Sequence, residues 1–302
     1  RFLSMIIPAR WFTGGRGVDE FRTEMLNDKR IKIIHDFPNA SDCFPGVEIK
    51  GGVCYFLWDK DYSGNCQINT HKGDVIISTD ERPLLEKGAD TIIRYNEAIS
   101  ILRKVQKLKE NSFSKVISAN DPFGFDVRVE NSYKRVKPKF KKTPFENSVK
   151  FYYNGWQREG IGFIDKNSVN KNIEWINDYK ILITKAYGAG ETYPHQILNT
   201  PLLVEPNSCC TETYLVIGPF STKKRAENVM SYIETKFFRF LVLLIKNTQN
   251  AMKKVYSFVP IQNFDESWSD EKLYKKYGLT DEEIAFIDSM VRPMVLEKDA
   301  EV

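Results

Sequence analysis

Hydrophobic positions near the amino terminus fall into short runs that predict buried strands. Residues 5–7 form an apolar run that ends at Pro8. Residues 31–37 form a second run, and residues 53–58 form a third that is apolar almost throughout. Continuous apolar runs of this length are typical of strands that are buried on both faces of a parallel sheet.

A glycine-rich loop and a helix are predicted between the first two runs. Gly14, Gly15 and Gly17 allow the backbone to approach a ligand or a neighbouring segment closely. Residues 18–26 then have a helical apolar spacing, with acidic residues in the first turn. Strand, helix, strand and a closing antiparallel strand is the order in which a doubly wound sheet ends. A sheet of so few strands is expected to leave a long unpaired edge.

The remainder of the chain predicts a second part with shorter strands. Polar residues with several glycines fill 60–90, where residues 67–70 and 74–78 could be flanking strands. Residues 91–109 have the spacing of a helix that bridges two domains. A long amphipathic helix, or a pair of helices, is predicted at 222–254, with Thr222 as its N-cap. Short strands are predicted at 127–130, 149–153, 162–165, 180–185 and 214–217.

Composition excludes several classes of protein. A chain of 302 residues with 42% hydrophobic and 13% aromatic residues can build a sizeable core in two parts. No apolar run approaches the roughly 18 residues of a transmembrane helix, so we expect no membrane partner. The cysteines are odd in number and scattered, so we expect reduced thiols in a cytoplasmic protein. They are Cys43, Cys54, Cys66, Cys209 and Cys210.

Positive charge is concentrated in one segment, although the net charge is only +4. Six cations occur within residues 134–142, where Pro138 favours an extended backbone. Aromatic residues follow between further cations. This combination suits phosphate neutralisation and groove contact, and a solvated surface loop fits it about equally well. The candidate DNA-contacting residues of this segment are Lys134, Arg135, Lys137, Lys139, Lys141 and Lys142.

Two short motifs resemble functional sequences, but each is weak evidence for a function. Asn-Asp-Pro-Phe at 120–123 has aspartate where Asn-Pro-Pro-Phe has its first proline, so we predict a structural role for it. Gly188 and Gly190 follow the strand predicted at 180–185, but Pro194 interrupts any helix after them. A flexible DNA-contacting loop that includes Lys185 is the better interpretation. The three histidines have no ligand spacing with the cysteines, so no metal site is expected.

Residues 5–59 resemble the end of the catalytic domain in adenine-N6 DNA methyltransferases of bacterial restriction–modification systems. In that family, an apolar strand with a proline and a glycine-rich loop precedes a Phe-Pro-Gly turn and a final apolar strand. The matching turn here is Phe44, Pro45 and Gly46. Residues 113–125, 176–183, 226–260 and 268–280 resemble the target-recognition domain of the same family. Neither the family's glycine-rich cofactor loop nor its catalytic Asn-Pro-Pro-Tyr segment occurs in this sequence.

The resemblance implies an α/β fold made of the C-terminal strands of a doubly wound methyltransferase sheet. An α+β target-recognition domain with a long C-terminal helix would follow. We expect the end of the catalytic domain at 1–90 and a bridging helix at 91–110. The target-recognition domain is expected at 111–264, and an acidic helical tail at 265–302.

The chemistry that the resemblance implies is methyl transfer from S-adenosylmethionine to the N6 amine of adenine. The base would have to leave the duplex to be reached. In the family, an aromatic residue at the position of Phe44 packs against the flipped base, and Pro45 belongs to the same turn. Trp11 is a weaker candidate for the pocket wall and is equally well explained as a packing residue. We expect no catalytic residue and no bound cofactor in this chain, because the parent enzyme would hold S-adenosylmethionine elsewhere.

Three hypotheses of different classes follow. The first is the DNA-recognition and base-pocket part of a type II adenine methyltransferase, with double-stranded DNA as its partner and a nuclease domain or subunit in the same system. The second is a DNA specificity subunit without its own catalysis, although such a subunit has no need of residues 1–59. The third is an unrelated enzyme that binds a nucleotide at the loop between Gly188 and Gly190.

Overall fold

The chain forms two compact units with mixed α/β structure. The computed structural model describes residues 1–12, 17–86, 89, 91–126, 138–188, 193–246 and 249–295. The first unit contains residues 1–104 and 243–248, and the second contains residues 105–242 and 249–302. No helix in the described residues is long and apolar enough to cross a bilayer.

The first unit is built on a five-stranded mixed sheet in the order β1-β3-β2-β4-β5. Strand β3 lies between β1 and β2 and is antiparallel to both, which confirms the predicted closing antiparallel strand. Strands β2 and β4 are parallel, and β4 and β5 form an antiparallel hairpin. Strands β1, β2 and β4 therefore point in the same direction. The bounds are β1 Phe2–Pro8, β2 Ile31–Phe37, β3 Val53–Asp59, β4 Cys66–Lys72 and β5 Val75–Arg82.

The apolar core of this unit lies on one face of the sheet. Helix α1, Asp19–Asn27, contributes Leu26, which is buried against residues of β2, β3 and β4. Full burial of a large aliphatic or aromatic side chain stabilises the fold by about 1.5–3 kcal/mol relative to exposure. Other members of this core are Ala9, Trp11, Phe12, Ile34, Cys54, Phe56, Ile68 and Ile92.

Strand β1 is an exposed edge, and the prediction that its apolar run is buried was wrong. Met5 is 47% exposed and Ile6 is 53% exposed. Strand β1 pairs only with β3, and no strand in the described residues covers its other side. The expected long unpaired edge is therefore confirmed, and it carries the apolar side chains of a strand suited to the interior of a sheet.

Helix α2 covers Ala98–Lys107 and is shorter than the helix predicted at 91–109. The residues before it are held in an irregular conformation by side-chain contacts. The Thr91 hydroxyl donates to the carbonyl oxygen of Phe12 at 2.6 Å, and the Asn96 amide donates to the Ser78 hydroxyl at 3.0 Å. These contacts override the helical spacing of the sequence.

The second unit contains two three-stranded sheets, in the orders β10-β6-β7 and β11-β8-β9. The strands predicted near 150, 163, 182 and 216 are confirmed, whereas β9 and β10 were not predicted. The strand predicted at 127–130 lies outside the described residues. The bounds are β6 Ser148–Tyr152, β7 Gly162–Asp165, β8 Tyr179–Thr184, β9 Leu202–Val204, β10 Ser208–Cys210 and β11 Tyr214–Phe220, with the short helix α3 at Trp156–Glu159.

Of the two alternatives predicted at 222–254, the structure has the pair of helices, α4 at Lys223–Glu234 and α5 at Lys236–Leu243, so the helical region ends earlier than predicted. Thr222 caps α4 as predicted, because its hydroxyl accepts a hydrogen bond from the amide of Arg225 at 3.3 Å. The Asp270 carboxylate accepts from the amides of Lys236 and Phe237 and thereby caps α5. The acidic C-terminal segment includes helices α6, Asp270–Tyr277, and α7, Asp281–Met290.

Candidate functional site

Three loops of the first unit meet at the carboxyl edge of its parallel strands. The segment after β1 begins with a 3₁₀ helix, Ala9–Phe12. The loop after β2 covers residues 38–52, and a two-residue turn at Gly73 and Asp74 follows β4. Ligands of open α/β sheets bind outside the carboxyl ends of the strands, so this edge is where a site is expected.

A buried ion pair fixes this edge. Two guanidinium nitrogens of Arg94 donate to the two carboxylate oxygens of Asp36 at 2.6 and 2.8 Å. The remaining terminal nitrogen donates to the carbonyl oxygen of Gly51 at 2.7 Å. Burial alone would lower the pKa of the Arg94 guanidinium, but the charge and hydrogen bonds of Asp36 raise it above its ordinary value. Both side chains are at least 92% buried, so each is the main partner of the other's polar atoms.

The same ion pair connects the loops to one another. Gly51 belongs to the loop after β2, and the amide of Ala9 donates to the carbonyl oxygen of Gly52 at 3.0 Å. Gly52 has a φ of 77°, and a Cβ there would stand 2.1 Å from the carbonyl oxygen of Phe37. Only glycine fits this close approach of two chain segments. The ends of β1 and β2 are thus held together around Arg94.

The turn at Phe44 is built by local hydrogen bonds. Asn39 begins a 3₁₀ helix, Ala40–Asp42, by accepting from the amide of Ser41. The amide of Phe44 donates to the carbonyl oxygen of Ala40 at 2.8 Å, and Phe44 in turn accepts from the amide of Val47 at 3.0 Å. The backbone of Phe44 is therefore fixed at both its donor and its acceptor.

The ring of Phe44 is accessible from solvent. Phe44 is 38% exposed, whereas neighbouring Phe37 is 7% exposed and packs with Val53 and Tyr55 under the turn. An aromatic ring that is held by a rigid turn and is open to solvent can stack on a planar ligand. Pro45 follows on the surface of the same turn.

Trp11 does not line an open surface at this edge. It is 2% exposed and makes edge-to-face contacts with Phe12 at 4.8 Å and Phe21 at 6.1 Å between ring centroids. The prediction of Trp11 as a pocket wall is therefore corrected, and its side chain packs in the core. This packing supports the segment from which the glycine-rich loop begins.

A histidine pair lies on the sheet next to the Phe44 turn. The Nδ1 atom of His35 and the Nε2 atom of His71 are 2.8 Å apart, at hydrogen-bond distance. His35 stacks on Tyr55, and His71 stacks on Phe37. Burial lowers the pKa of each histidine below its ordinary value, and the charge of His71 adds to the effect on His35. No group of three or more possible metal ligands occurs among the described residues.

The described lysines of the basic segment, Lys139, Lys141 and Lys142, are all exposed, but they differ in how far their amino groups are engaged within the protein. Lys139 is exposed and has no hydrogen bond or ion pair with the described residues. The Lys142 amino group donates to the Tyr153 hydroxyl and to the carbonyl oxygen of Glu159, and the Tyr153 hydroxyl raises the pKa of Lys142. Lys142 is therefore engaged within its own unit although its side chain is half exposed, and its predicted phosphate contact stays a prediction.

Lys141 is exposed, but its backbone and its amino group both make contacts within the protein. Its backbone forms an isolated bridge with Phe163, and its amino group lies 4.7 Å from the centre of the Phe145 ring. The side chain is exposed and remains able to approach a phosphate. The predicted contacts Lys134, Arg135 and Lys137 lie outside the described residues.

The Gly188 loop and the 120–123 motif meet in the second unit. Lys185 donates to the side-chain oxygen of Asn120 at 2.7 Å, so this predicted DNA contact is partly engaged within the protein. Asp121 forms an ion pair with Lys171 at 2.6 Å, and Phe123 is completely buried. The motif therefore has the structural role that was predicted for it. Gly188 has a φ of 66°, and Gly190 lies outside the described residues.

Sequence reasoning missed the pair of Asp36 and Arg94. Arg94 was assigned to a helix that begins only at Ala98. A signal was present, because Asp36 lies in a strand with several apolar residues, and a buried carboxylate needs a charged partner. Arg94 follows two isoleucines and carries the complementary signal.

Replacing Arg94 with methionine should leave the Asp36 carboxylate buried without a partner. We expect the free energy of unfolding to fall by about 3–5 kcal/mol, measured by urea denaturation. Arg30→Met is the matched control, because Arg30 pairs with Asp28 at 2.7 Å on the surface and should cost less than about 1 kcal/mol. Equal losses in the two variants would contradict the importance of the buried pair.

The histidine pair predicts a pH dependence of stability. Because the pKa of each histidine is lower in the folded protein than the ordinary 6.5, the unfolded state takes up more protons below that pH. The free energy of unfolding should therefore fall as the pH decreases below about 6.5, by less than about 1.4 kcal/mol per pH unit for each proton. The double variant His35→Gln and His71→Gln should reduce the pH dependence of the free energy of unfolding. If the slope against pH does not change, groups other than these two histidines cause the dependence.

Comparisons with known proteins agree with the resemblance in the sequence. Residues 1–44 match the family model described as Eco57I restriction-modification methylase. A curated protein of Mycoplasma pneumoniae, described as an uncharacterized adenine-specific methylase, is 44% identical over 71 residues. That match covers 23% of this chain and 17% of the relative, so the chain spans only a small part of that protein.

Solved structures show a more distant similarity. The type IIG restriction endonuclease BpuSI has 10% identity and a TM-score of 0.37, with 92% of this chain and 42% of that chain covered. The type IIL restriction-modification enzyme MmeI, solved in complex with DNA, has 10% identity and a TM-score of 0.41, with 85% and 37% covered. TM-scores this low support no conclusion about function. The sequence matches thus show that residues 1–44 are similar to the Eco57I restriction-modification methylase family and that a 71-residue stretch is similar to an adenine-specific methylase.

Proposed function

We propose that this chain is the DNA-recognition and base-pocket part of an S-adenosylmethionine-dependent adenine-N6 DNA methyltransferase. The observation that carries the proposal is the position of Phe44. Its ring is exposed in a rigid turn at the carboxyl edge of the sheet, and it is the last residue of the segment that matches the methylase family.

In this proposal, the Phe44 ring receives the adenine after the base leaves the duplex. An extruded base loses its stacking neighbours, and an aromatic face replaces part of that contact. The backbone hydrogen bonds of Phe44 with Ala40 and Val47 fix the backbone from which the ring projects before the base arrives. The buried pair of Asp36 and Arg94 fixes the loop on which the turn stands.

The second unit would supply phosphate contacts that do not depend on sequence. Lys139 and Lys141 are the described residues of the basic segment whose side chains are available. Lys134, Arg135 and Lys137, with Lys185, Gly188 and Gly190 of the other loop, remain proposed contacts. Cations of this kind set the register of a protein on DNA and make affinity depend on salt.

We infer that the described residues at this edge do not hold S-adenosylmethionine. Nucleotide sites of doubly wound sheets commonly use a free carboxylate at a strand end to bind the ribose hydroxyls. Asp36 is engaged by Arg94, and the Asp42 carboxylate accepts from the Asn39 amide and from the amide of Gly73. We therefore infer that the chain alone transfers no methyl group, and that the parent enzyme holds the cofactor with other residues.

Two alternative functions have less support. A specificity subunit has no need of a segment that matches a methylase family at residues 1–44. A nucleotide-binding enzyme would need a helix N-terminus after Gly188 to bind phosphate. The described residues between Tyr193 and Leu202 contain no helix.

The first test of this function is the salt dependence of DNA binding. The purified chain should bind duplex DNA with a log–log salt slope of about −0.9 for each phosphate contacted. The double variant Lys139→Ala and Lys141→Ala should weaken binding to all sequences and reduce the magnitude of the slope by up to about 1.8. Lys272→Ala with Lys275→Ala, in the acidic segment, is the matched control. If the two double variants change DNA affinity and the salt slope equally, the DNA-binding interface does not include Lys139 and Lys141.

The second test concerns Phe44 in the parent enzyme. Phe44→Ala should remove a stacking contact worth about 1–3 kcal/mol and slow methylation, with a smaller fluorescence increase from 2-aminopurine at the target position. Phe44→Trp should retain much of the activity because an aromatic face survives. A large loss of thermal stability, with normal methylation by the enzyme that remains folded, would instead identify Phe44 as a core residue.

The third test is calorimetric titration of the chain with S-adenosylmethionine. We expect no measurable heat of binding, because the carboxylates at the strand ends are engaged within the protein. Micromolar binding would refute the assignment of the cofactor site to other parts of the parent enzyme. This outcome would leave the DNA-binding proposal unaffected.

A further inference from the structure

Exposed aliphatic side chains are concentrated at the tip of the hairpin formed by β4 and β5. The tip is defined here as residues 72–77. Val75 is 64% exposed, Ile76 is 46% exposed and Ile77 is 56% exposed. Three consecutive large aliphatic residues in water are costly unless they have a partner.

A hydrogen bond fixes the tip beside the Phe44 turn. The turn contains Gly73 at its first central position with a φ of 58°, as in a type II′ hairpin. The amide of Gly73 donates to the Asp42 carboxylate at 3.0 Å. Asp42 lies two residues before Phe44. The tip and the proposed base pocket are therefore parts of one surface at the carboxyl edge of the sheet.

The tip extends beyond the end of β2, because the last pairing of β2 with β4 joins Asp36 to Thr70. Val75 pairs with Lys72 and Ile76 pairs with His71, so Val75 and Ile76 point to opposite faces of the hairpin. Both are exposed, although a tip that lay flat on the sheet would bury one of them. The register shifts between Thr70 and His71, and such bulges bend a strand away from its neighbours. A projecting element with apolar side chains on both faces is suited to insertion into a partner.

The remainder of β5 is unsuited to pairing with a second copy of the chain. After Ile77 the strand continues with Ser78, Thr79, Asp80 and Glu81. Exposed edge strands that carry charge resist lengthwise association. The apolar residues are thus confined to the end of the strand that adjoins the Phe44 turn, and this position favours a partner that also reaches Phe44.

We propose that the hairpin tip inserts into duplex DNA next to the base that Phe44 receives. This inference rests on the proposed function. Val75 and Ile76 would fill the space between base pairs, as apolar wedges do in proteins that unstack a base step. Lys72 is exposed at the same tip and would contact a flanking phosphate. The tip would thereby help to hold the duplex open while the adenine is outside it.

The experiment measures binding of the chain to two fluorescein-labelled duplexes that differ only in one abasic site. Wild type should bind the abasic duplex about tenfold more tightly, because an inserted side chain no longer has to separate stacked bases. The double variant Val75→Thr and Ile76→Thr keeps the β-branched shape that strands favour. It should reduce this preference to less than about twofold with an unchanged salt slope, because no charge is altered.

Two further variants keep the test decisive. Ile6→Thr changes an aliphatic residue that is 53% exposed on β1, in the same sheet, and should retain the abasic preference. Lys72→Ala should reduce the magnitude of the salt slope by about 0.9 and also retain the preference. Thermal unfolding of each variant confirms that the chains are folded.

The outcomes separate this inference from the proposed function. If wild type binds both duplexes with a steep salt slope but the Thr double variant keeps the abasic preference, the wedge is refuted and DNA binding stands. If wild type binds neither duplex, the proposed function fails and the wedge fails with it. If the double variant converts a dimer to a monomer in sedimentation without changing the preference, the tip is a contact between copies and the inference is overturned.

Discussion

The buried ion pair of Asp36 and Arg94 is the interaction on which the carboxyl edge of the first unit depends. A charge inside a protein is tolerated only when a partner and hydrogen bonds replace its water. Arg94 satisfies this requirement with both oxygens of Asp36 and with the carbonyl oxygen of Gly51. The arrangement joins the end of β2 to the loop that returns to β3, and the Phe44 turn lies within that loop. The buried pair of Asp36 and Arg94 therefore stabilises the loop that carries the accessible ring of Phe44.

Much of the first unit could be predicted from the sequence. The runs at 31–37 and 53–58 are strands, and Phe44 of the Phe-Pro-Gly turn is partly exposed, while its predicted ligand contact stays a prediction. The prediction that β1 is buried was wrong. An apolar pattern shows only which environment a strand is suited to. Whether another strand is present to pair with it is a separate matter. The helix at 91–109 was too long because Thr91, Arg94 and Asn96 make tertiary contacts that spacing along the chain cannot reveal.

The charged residues show a second limit of sequence reasoning. A count of cations treats Lys139 and Lys142 alike, but their surroundings differ. The amino group of Lys142 donates to Tyr153 and Glu159, whereas Lys139 makes no hydrogen bond with the described residues. Similarly, His35 and His71 lack metal-ligand spacing in the sequence but become hydrogen-bond partners across the parallel strands β2 and β4. Pairings between distant segments decide which polar residues remain available to a ligand.

Hydrogen–deuterium exchange of the chain with and without random-sequence duplex DNA tests the central claim most directly. The account predicts slower exchange in the presence of DNA at residues 40–47, at the hairpin tip and at residues 139–142. Amides of the acidic segment 270–290 should exchange at the same rate in both samples. Protection confined to the acidic segment, or no change anywhere at a DNA concentration that saturates binding, would contradict the assignment of these surfaces to DNA recognition.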